Sequence, residues 1–382
     1  MNNSPLYDRI AKTISGKKQA NLFRTLSQPG ATDGIDLSTN SYLWLHANPD
    51  VAKAAQMLAA GRLHGNCASR VIASASPLFT ELENEIASWK GAETALVFNS
   101  GYAANVGIIQ SLCLRSTEVF CDKYDHASII DGILLSGARM VRYRHCDVDD
   151  LASKLAASKI REKIIITDSV FSMDGDCAPL ADICELARSK GCMVMVDEAH
   201  ATGVFGETGG GLVEELGLEA GVDIRMGTLS KSIAGLGGYF AGSSMLRDYF
   251  VNSARSLIYS TALPHAVLAW DLAALRYVKA GRGMGGRLLK KARRFKGELE
   301  ERGFDTMRST THIVPCVLGD EASALSLSRF LRERDINVPA IRPPTVPANT
   351  ARLRFSIHRG ITEEQLDGVA GAIVEWKKAH GR

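Results

Sequence analysis

The sequence predicts an α/β fold with a mostly parallel sheet, followed by a smaller α+β unit, on three observations. Between about Leu96 and Met226, short apolar runs alternate with segments of helical period, and each run is closely followed by a polar residue or glycine. Beyond Pro264 the pattern changes to long helical stretches and then to strand, helix, strand, strand, helix. The 382 residues suffice for about two to three structural units with a cleft between them.

The elements follow in order. Residues 1–45 hold an early helix and a short strand, GIDLST, too little to fold alone, and are expected to pack on the small unit. Residues 46–285 form the large domain, with strand runs ALVF (95–98), EVFC (118–121), KIIIT (163–167), MVMV (193–196) and DIRMG (223–227). They end at Asn99-Ser100-Gly101, Asp122, Asp168-Ser169, Asp197-Glu198 and Thr228, which therefore face one crevice beyond the carboxyl edge of the sheet. Residues 286–382 form the small domain: strand HIVPCVLG, helix ASALSLSRFLRERD, strands NVPAI and ARLRFSI, and helix TEEQLDGVAGAIVEWKKAH.

Composition excludes several classes. A net charge of +3 leaves no electrostatic footprint for nucleic acid, and the basic stretch near Lys290–Lys296 reads as a solvated helix face. The start, MNNSPLYDRI, lacks an apolar signal core and no run reaches the roughly 18 apolar residues of a membrane span, so a cytoplasmic protein is expected. Eight scattered cysteines show no metal or disulfide spacing and are expected to be buried thiols, with no metal site. Asp197-Glu198-Ala199-His200 resembles a helicase box but no phosphate loop accompanies it, and the glycines at 281, 283 and 286 follow a helix rather than a strand.

Glycine is the unusual residue, with 12 of 35 falling between Ala201 and Gly242. Such backbone turns sharply or approaches a ligand closely. In the same stretch one apolar strand delivers Asp197 and His200, and the next delivers Thr228, Ser230 and Lys231. A carboxylate, a histidine and a lysine converging on one crevice are what pyridoxal phosphate requires: the lysine for the Schiff base, the acid to keep the pyridine nitrogen protonated.

VDEAHATGVFG followed by TLSKSIAGLGG resembles the α-oxoamine synthase family of fold-type-I pyridoxal-phosphate enzymes. FNSGYAANVG, DHASIIDG, VFSMDGDCAPL, LIYST and IRPPTVPANTARLRFS resemble further motifs of that family. The resemblance implies a seven-stranded, mostly parallel sheet between helices, and a homodimer whose active site lies at the interface. It implies catalytic roles for Lys231, His126, Asp197 and His200. It places the cofactor on Ser100, Gly101, Tyr102, His126, Ser172, Asp197, His200, Thr228, Ser230 and Lys231, with Thr261 from the second subunit. Ser100-Gly101-Tyr102 ends a strand and opens a helix, whose amides and dipole suit a phosphate. The substrates fall to Arg24, Asn40, His126, Thr345 and Arg354, the last gripping a carboxylate with a fork that lysine lacks. Arg352 reads instead as an exposed strand arginine.

The implied reaction is decarboxylating transfer of an acyl group from a thioester to an amino acid. The segment 341–356 narrows the expectation to L-alanine and a pimeloyl thioester, on coenzyme A or carrier protein. Glycine with a short acyl group, longer acyl chains, and transamination or aldol cleavage remain open. Two segments depart from the family's pattern near the expected acyl entry: Trp44 stands where glycine is usual, and SRVIASASPLFTELE lacks the usual Ser-Gly and has Phe79 where many members have His.

Overall fold

Ile164, Ile165 and Ile166 are all buried although successive strand residues point to opposite faces, so their strand is covered on both sides. Ile164 and Ile166 pack with Ile108, Ile129 and Ile133 of the helices Gly101–Leu112 and Ala127–Ser136, while Ile165 joins Leu151, Leu155 and Ile183 on the other face. The computed structural model describes residues 4–25, 34–62, 65–73 and 76–380.

Its strands are β1 (Ile35–Asp36), β2 (Thr94–Phe98), β3 (Glu118–Asp122), β4 (Arg139–Tyr143), β5 (Lys163–Asp168), β6 (Met193–Asp197), β7 (Ile224–Thr228), β8 (Gly238–Gly242), β9 (Ile313–Gly319), β10 (Ile336–Asn337), β11 (Ala340–Ile341) and β12 (Ala351–Ser356). The large sheet runs β2-β8-β7-β6-β5-β3-β4, parallel except for β8, which is antiparallel to both neighbours. The seven-stranded sheet is thus as expected. β4 and β8 are absent from the apolar runs of the sequence, because β4 is an edge strand with exposed arginines and β8 is GYFAG, bounded by glycines.

β11, β12 and β9 form a small antiparallel sheet, and β1 pairs in parallel with β10. The expected strand NVPAI is divided: Pro339 has no N–H to donate, and the pieces on either side join different sheets. The carbonyl of Pro339 accepts the backbone N–H of Arg354, which seats β12. Among the described residues no helix is long and apolar enough to cross a membrane.

Two readings of single residues are corrected. Arg352 is fully buried rather than exposed, because its guanidinium pairs with Asp174 across to the loop after β5. Cys67 is exposed and Cys146, Cys177 and Cys192 are half-buried, so only Cys113, Cys121, Cys184 and Cys316 match the expected buried thiols. Cys146 has φ 53°, and its N–H donates to Asp122 at 2.8 Å. Beside it, His145 bridges Asp122 and Asp176 at 2.9 Å each, and the two carboxylates hold its imidazole protonated, with a pKa of about 12. This ion bridge ties the end of β3 to the loop that carries Ser172.

Candidate active site

Parallel register places Asp168 beside Asp197 and Asp197 beside Met226, so the carboxyl ends of β5, β6 and β7 share one edge. Asp197 is buried; its Oδ1 accepts the N–H of Ala199 at 2.8 Å and its Oδ2 the amide of Asn105 at 2.7 Å. A carboxylate oxygen accepts more than one bond, so acceptor capacity remains for an N–H in the crevice. Asn105 also reaches Ser128 Oγ at 2.9 Å, which in turn lies 2.7 Å from His126 Nδ1. His126 is held by its own backbone N–H, which donates to Asp168 at 2.7 Å, while its ring is exposed to the crevice. Burial and the neighbouring Asp197 push the carboxyl of Asp168 well above its usual range.

The turn after β7 is tied inward by Thr228, whose Oγ1 donates to the carbonyl of Gly237 at 2.7 Å and lies 2.8 Å from Ser230 Oγ. Opposite it, Ser100 caps the helix Gly101–Leu112. A side chain at Gly101 would press on Thr228, and one at Gly238 would strike the Ser100 carbonyl at 2.5 Å. These three elements therefore meet at backbone distance, leaving the helix N-terminus, Thr228 and Ser230 as a cradle for an anion. Tyr102 contributes its place in that first turn only, since its half-exposed phenol donates to Asp131.

Lys231 Nζ lies 2.7 Å from His200 Nε2. Burial lowers its pKa to about 8, against the opposing pull of Asp197 and Asp168 and with help from Arg354. His200 is held well below its usual range by burial and by Lys231 and Arg354. Arg354 is buried on β12; its Nε donates to the carbonyl of Ser172 at 2.5 Å, and its Nη1 to Asn40 Oδ1 at 3.2 Å and Ser356 Oγ at 2.7 Å. The structure thus joins Lys231, His200, Asn40, Ser172 and Arg354 in one network through Tyr42, with Asp197 near enough to Lys231 to act on its charge.

Other expected residues stand apart. Arg24 and Thr345 are exposed and bond each other at 2.7 Å beside Arg342, forming a shallow pocket with Leu22 and Pro343. Thr261 is exposed, with its carbonyl accepting from Asn99. Phe79 is not at an open entry: it lies buried in the first turn of the helix Pro77–Lys90, with the Arg70 guanidinium 4.0 Å above its ring. Ser74 and Ala75 of the departing segment lie outside the described residues. Trp44 adopts a left-handed conformation (φ 59°) that favours glycine, and stacks on His358 with centroids 4.2 Å apart. A Cβ at Gly360 would come within 2.5 Å of its indole, so a glycine elsewhere makes room for the missing one.

Sequence reasoning missed two members of the network. Asn105 lies one helical turn past Gly101, on the face that Ser128 and Asp197 share. Tyr42 is buried, and its hydroxyl touches His200 Nδ1 at 2.6 Å, Asn40 Oδ1 at 3.0 Å and Arg354 Nη2 at 3.3 Å. Its proximity to Asn40 in TNSYLW was the available signal, and an aromatic ring there reads equally well as core.

The family model described as aminotransferase class I and II matches residues 32–373. Curated relatives named 8-amino-7-oxononanoate synthase include one from Anaeromyxobacter dehalogenans, 45% identical and covering 91% of this chain and 87% of its own. Another, from Geobacter sulfurreducens, is 42% identical over 97% of this chain and 98% of its own. Among solved structures, a serine palmitoyltransferase from S. paucimobilis with a bound pyridoxal-phosphate–myriocin aldimine superposes with a TM-score of 0.91 at 30% identity, covering 100% of both chains. The 8-amino-7-oxononanoate synthase of Francisella tularensis gives 0.79 at 27% identity, over 92% of this chain and 99% of that one.

Proposed function

The chain belongs to the aminotransferase class I and II family, in its α-oxoamine synthase branch, and from that premise we propose that it condenses L-alanine with a pimeloyl thioester. The products are 8-amino-7-oxononanoate, carbon dioxide and free thiol, a step of biotin biosynthesis carried out in the cytoplasm. The observation that carries this reading is the Lys231–His200–Tyr42–Arg354 network, which sets a buried guanidinium, suited to a carboxylate, and a low-pKa amine on one crevice. The division into residues 1–45, 46–285 and 286–382 goes with it, and the pairing of β1 with β10 supports the first boundary.

The donor set fits pyridoxal phosphate. Asp197 offers its acceptor capacity to the pyridine nitrogen, Lys231 the amine for covalent attachment, and Ser100, Gly101, Tyr102, Thr228 and Ser230 the phosphate cradle. His126 would cover the ring, with Ser172 and His200 on its phenolic side. Bound there, the cofactor supplies a sink for negative charge at the amino acid's Cα.

Arg354 and Asn40 orient the amino-acid carboxylate, the group that later leaves as carbon dioxide. Lys231 takes the Cα proton as a neutral amine, a form that predominates above about pH 8. The acyl carbon then joins Cα as the thiol departs with a proton. We assign Arg24 and Thr345 to substrate binding as a pair, a reading that their mutual bond supports.

A matrix of L-alanine, glycine and L-serine against short, dicarboxylic and long acyl thioesters, scored by thiol release, tests the specificity. The expected maximum is L-alanine with the pimeloyl donor, and a preference for glycine with an acetyl donor refutes it. L-serine with a long-chain donor is the second reading, favoured by the higher TM-score to serine palmitoyltransferase, 0.91 against 0.79. The identities of 42–45% to the 8-amino-7-oxononanoate synthases favour the first. We place Thr261 in the phosphate site of a second protomer, so sedimentation velocity should give a homodimer, and a fully active monomer would remove that assignment.

A further inference from the structure

Lys231 belongs to a loop closed by its own backbone. Leu229 N–H donates to the carbonyl of Gly237 and Gly235 N–H to the carbonyl of Leu229, while Ala234 N–H returns to the carbonyl of Lys231, each at 2.9 Å. Within the loop Ala234 has φ 56°, a left-handed conformation that a residue with a Cβ keeps only where its surroundings impose it.

Two consecutive residues of the helix His265–Ala280 flank that turn. Trp270 Nε1 donates to the carbonyl of Ile233 at 3.1 Å, and Asp271 Oδ1 accepts the N–H of Leu236 at 3.3 Å. The fit is close: a Cβ at Gly235 would come 1.7 Å from Asp271 Oδ1, so only glycine passes there, with its Cα–H towards the carboxyl oxygen. Asp271 is fully buried, and burial pushes its carboxyl well above the usual range, towards the uncharged acid. Leucine would fill the same space without desolvating a polar group, but it could not accept from Leu236. Leu229 and Ile233 share one apolar cluster with Leu268 and Leu272 of this helix, so the clamp grips the loop from the core side and not from the crevice.

We propose that Trp270 and Asp271 are positioning residues that set the spacing between Lys231 and the anion cradle. The loop they clamp carries Ser230 and Lys231 and runs into Gly238, which abuts the Ser100 carbonyl at the start of the helix Gly101–Leu112. Pyridoxal phosphate is held at two points, its aldehyde carbon at Lys231 and its phosphate at the cradle, so its retention depends on that spacing. Pyridoxal, which lacks the phosphate, is held at one. The inference rests on the reading of Ser100, Gly101, Thr228 and Ser230 as a phosphate cradle.

The test is equilibrium binding of pyridoxal phosphate and of pyridoxal to the full-length chain, each read by mass as the borohydride-reduced adduct on Lys231. The quantity followed is the preference for the phosphorylated form, the ratio of the two dissociation constants. Trp270→Phe and Asp271→Leu should each lower that preference about tenfold, the order of one bond to a charged group, while Asp271→Asn, which keeps an acceptor oxygen, should hold it within about twofold. Lost stability alone weakens both ligands together and leaves the ratio unmoved. An unmoved ratio in Trp270→Phe, or in a folded Asp271→Leu, overturns the proposal whatever happens to Tm, and so does a fall in Asp271→Asn as large as leucine's. The cradle fails separately: no preference for phosphate in the unsubstituted chain removes the cradle together with the proposal, whereas a preference that every variant keeps removes the proposal alone.

Discussion

Replacing Lys231 by alanine is expected to lower thiol release by at least about a thousandfold, the scale of a positioned proton-transfer group. The same variant should lose covalent attachment of pyridoxal phosphate, read as the absence of a borohydride-reduced adduct by mass. The reason is geometric: Lys231 is the amine that His200 Nε2 contacts, and the crevice around it is lined by Asp197, Asp168 and Arg354. His200, Tyr42 and Arg354 keep their mutual bonds without it, so the fold should survive and Tm should change little. Turnover and adduct both retained would show that another amine does the work.

The second large effect lies behind the site. Lys90 ends the helix Pro77–Lys90 fully buried, with its ammonium 2.8 Å from Glu198 and 3.1 Å from Thr202, and it also donates to the carbonyl of Gly210. Glu198, entirely buried, accepts the N–H of Val213 at 2.9 Å. Lys90→Met leaves that carboxylate uncompensated in a dry interior, and its loss of unfolding free energy should be about 3–5 kcal/mol by chemical denaturation. Adding Glu198→Gln removes the stranded charge and should restore at least about half of the loss. A single variant costing under about 1 kcal/mol would mean that the carboxylate finds another partner or a proton. Because Glu198 follows Asp197 directly, the single variant should also weaken cofactor retention.

That ion pair explains one member of the glycine cluster, which the sequence marked for a different reason. Gly211 has φ 121°, and a Cβ there would come within 2.3 Å of Glu198 Oε1. Gly206 and Gly210 likewise leave room for the half-buried carboxylate of Glu214 rather than for a ligand. Close backbone approach at the anion cradle is confined to Gly238 on β8 and Gly101 across from it. Glycine enrichment therefore pointed to the right region, while the cause was divided between packing and binding.

The members of the site that could be read from sequence share a property. Asp197, His200, Thr228 and Lys231 stand at or just past the ends of apolar runs, and such runs are buried parallel strands whose carboxyl ends form one edge. Arg354 and Asn40 come from distant segments, and motif resemblance marked them where periodicity did not. Tyr42, Asn105, Lys90 and the burial of Arg352 were not legible, because each depends on a partner far along the chain: His200, Asp197, Glu198 and Asp174 respectively. An isolated tyrosine or lysine carries no mark of whether its polar end will be paired.

Five of the seven strands of the large sheet and the chemical types arriving at the crevice were legible in the sequence, since apolar period and strand-end residues are local properties. Which polar groups meet there is settled only in the folded chain. It placed a tyrosine between an arginine and a histidine, and set that histidine's other ring nitrogen 2.7 Å from Lys231 Nζ. A polar side chain's partners are the donors and acceptors within about 3 Å of it, and those come from segments that meet only in the folded chain.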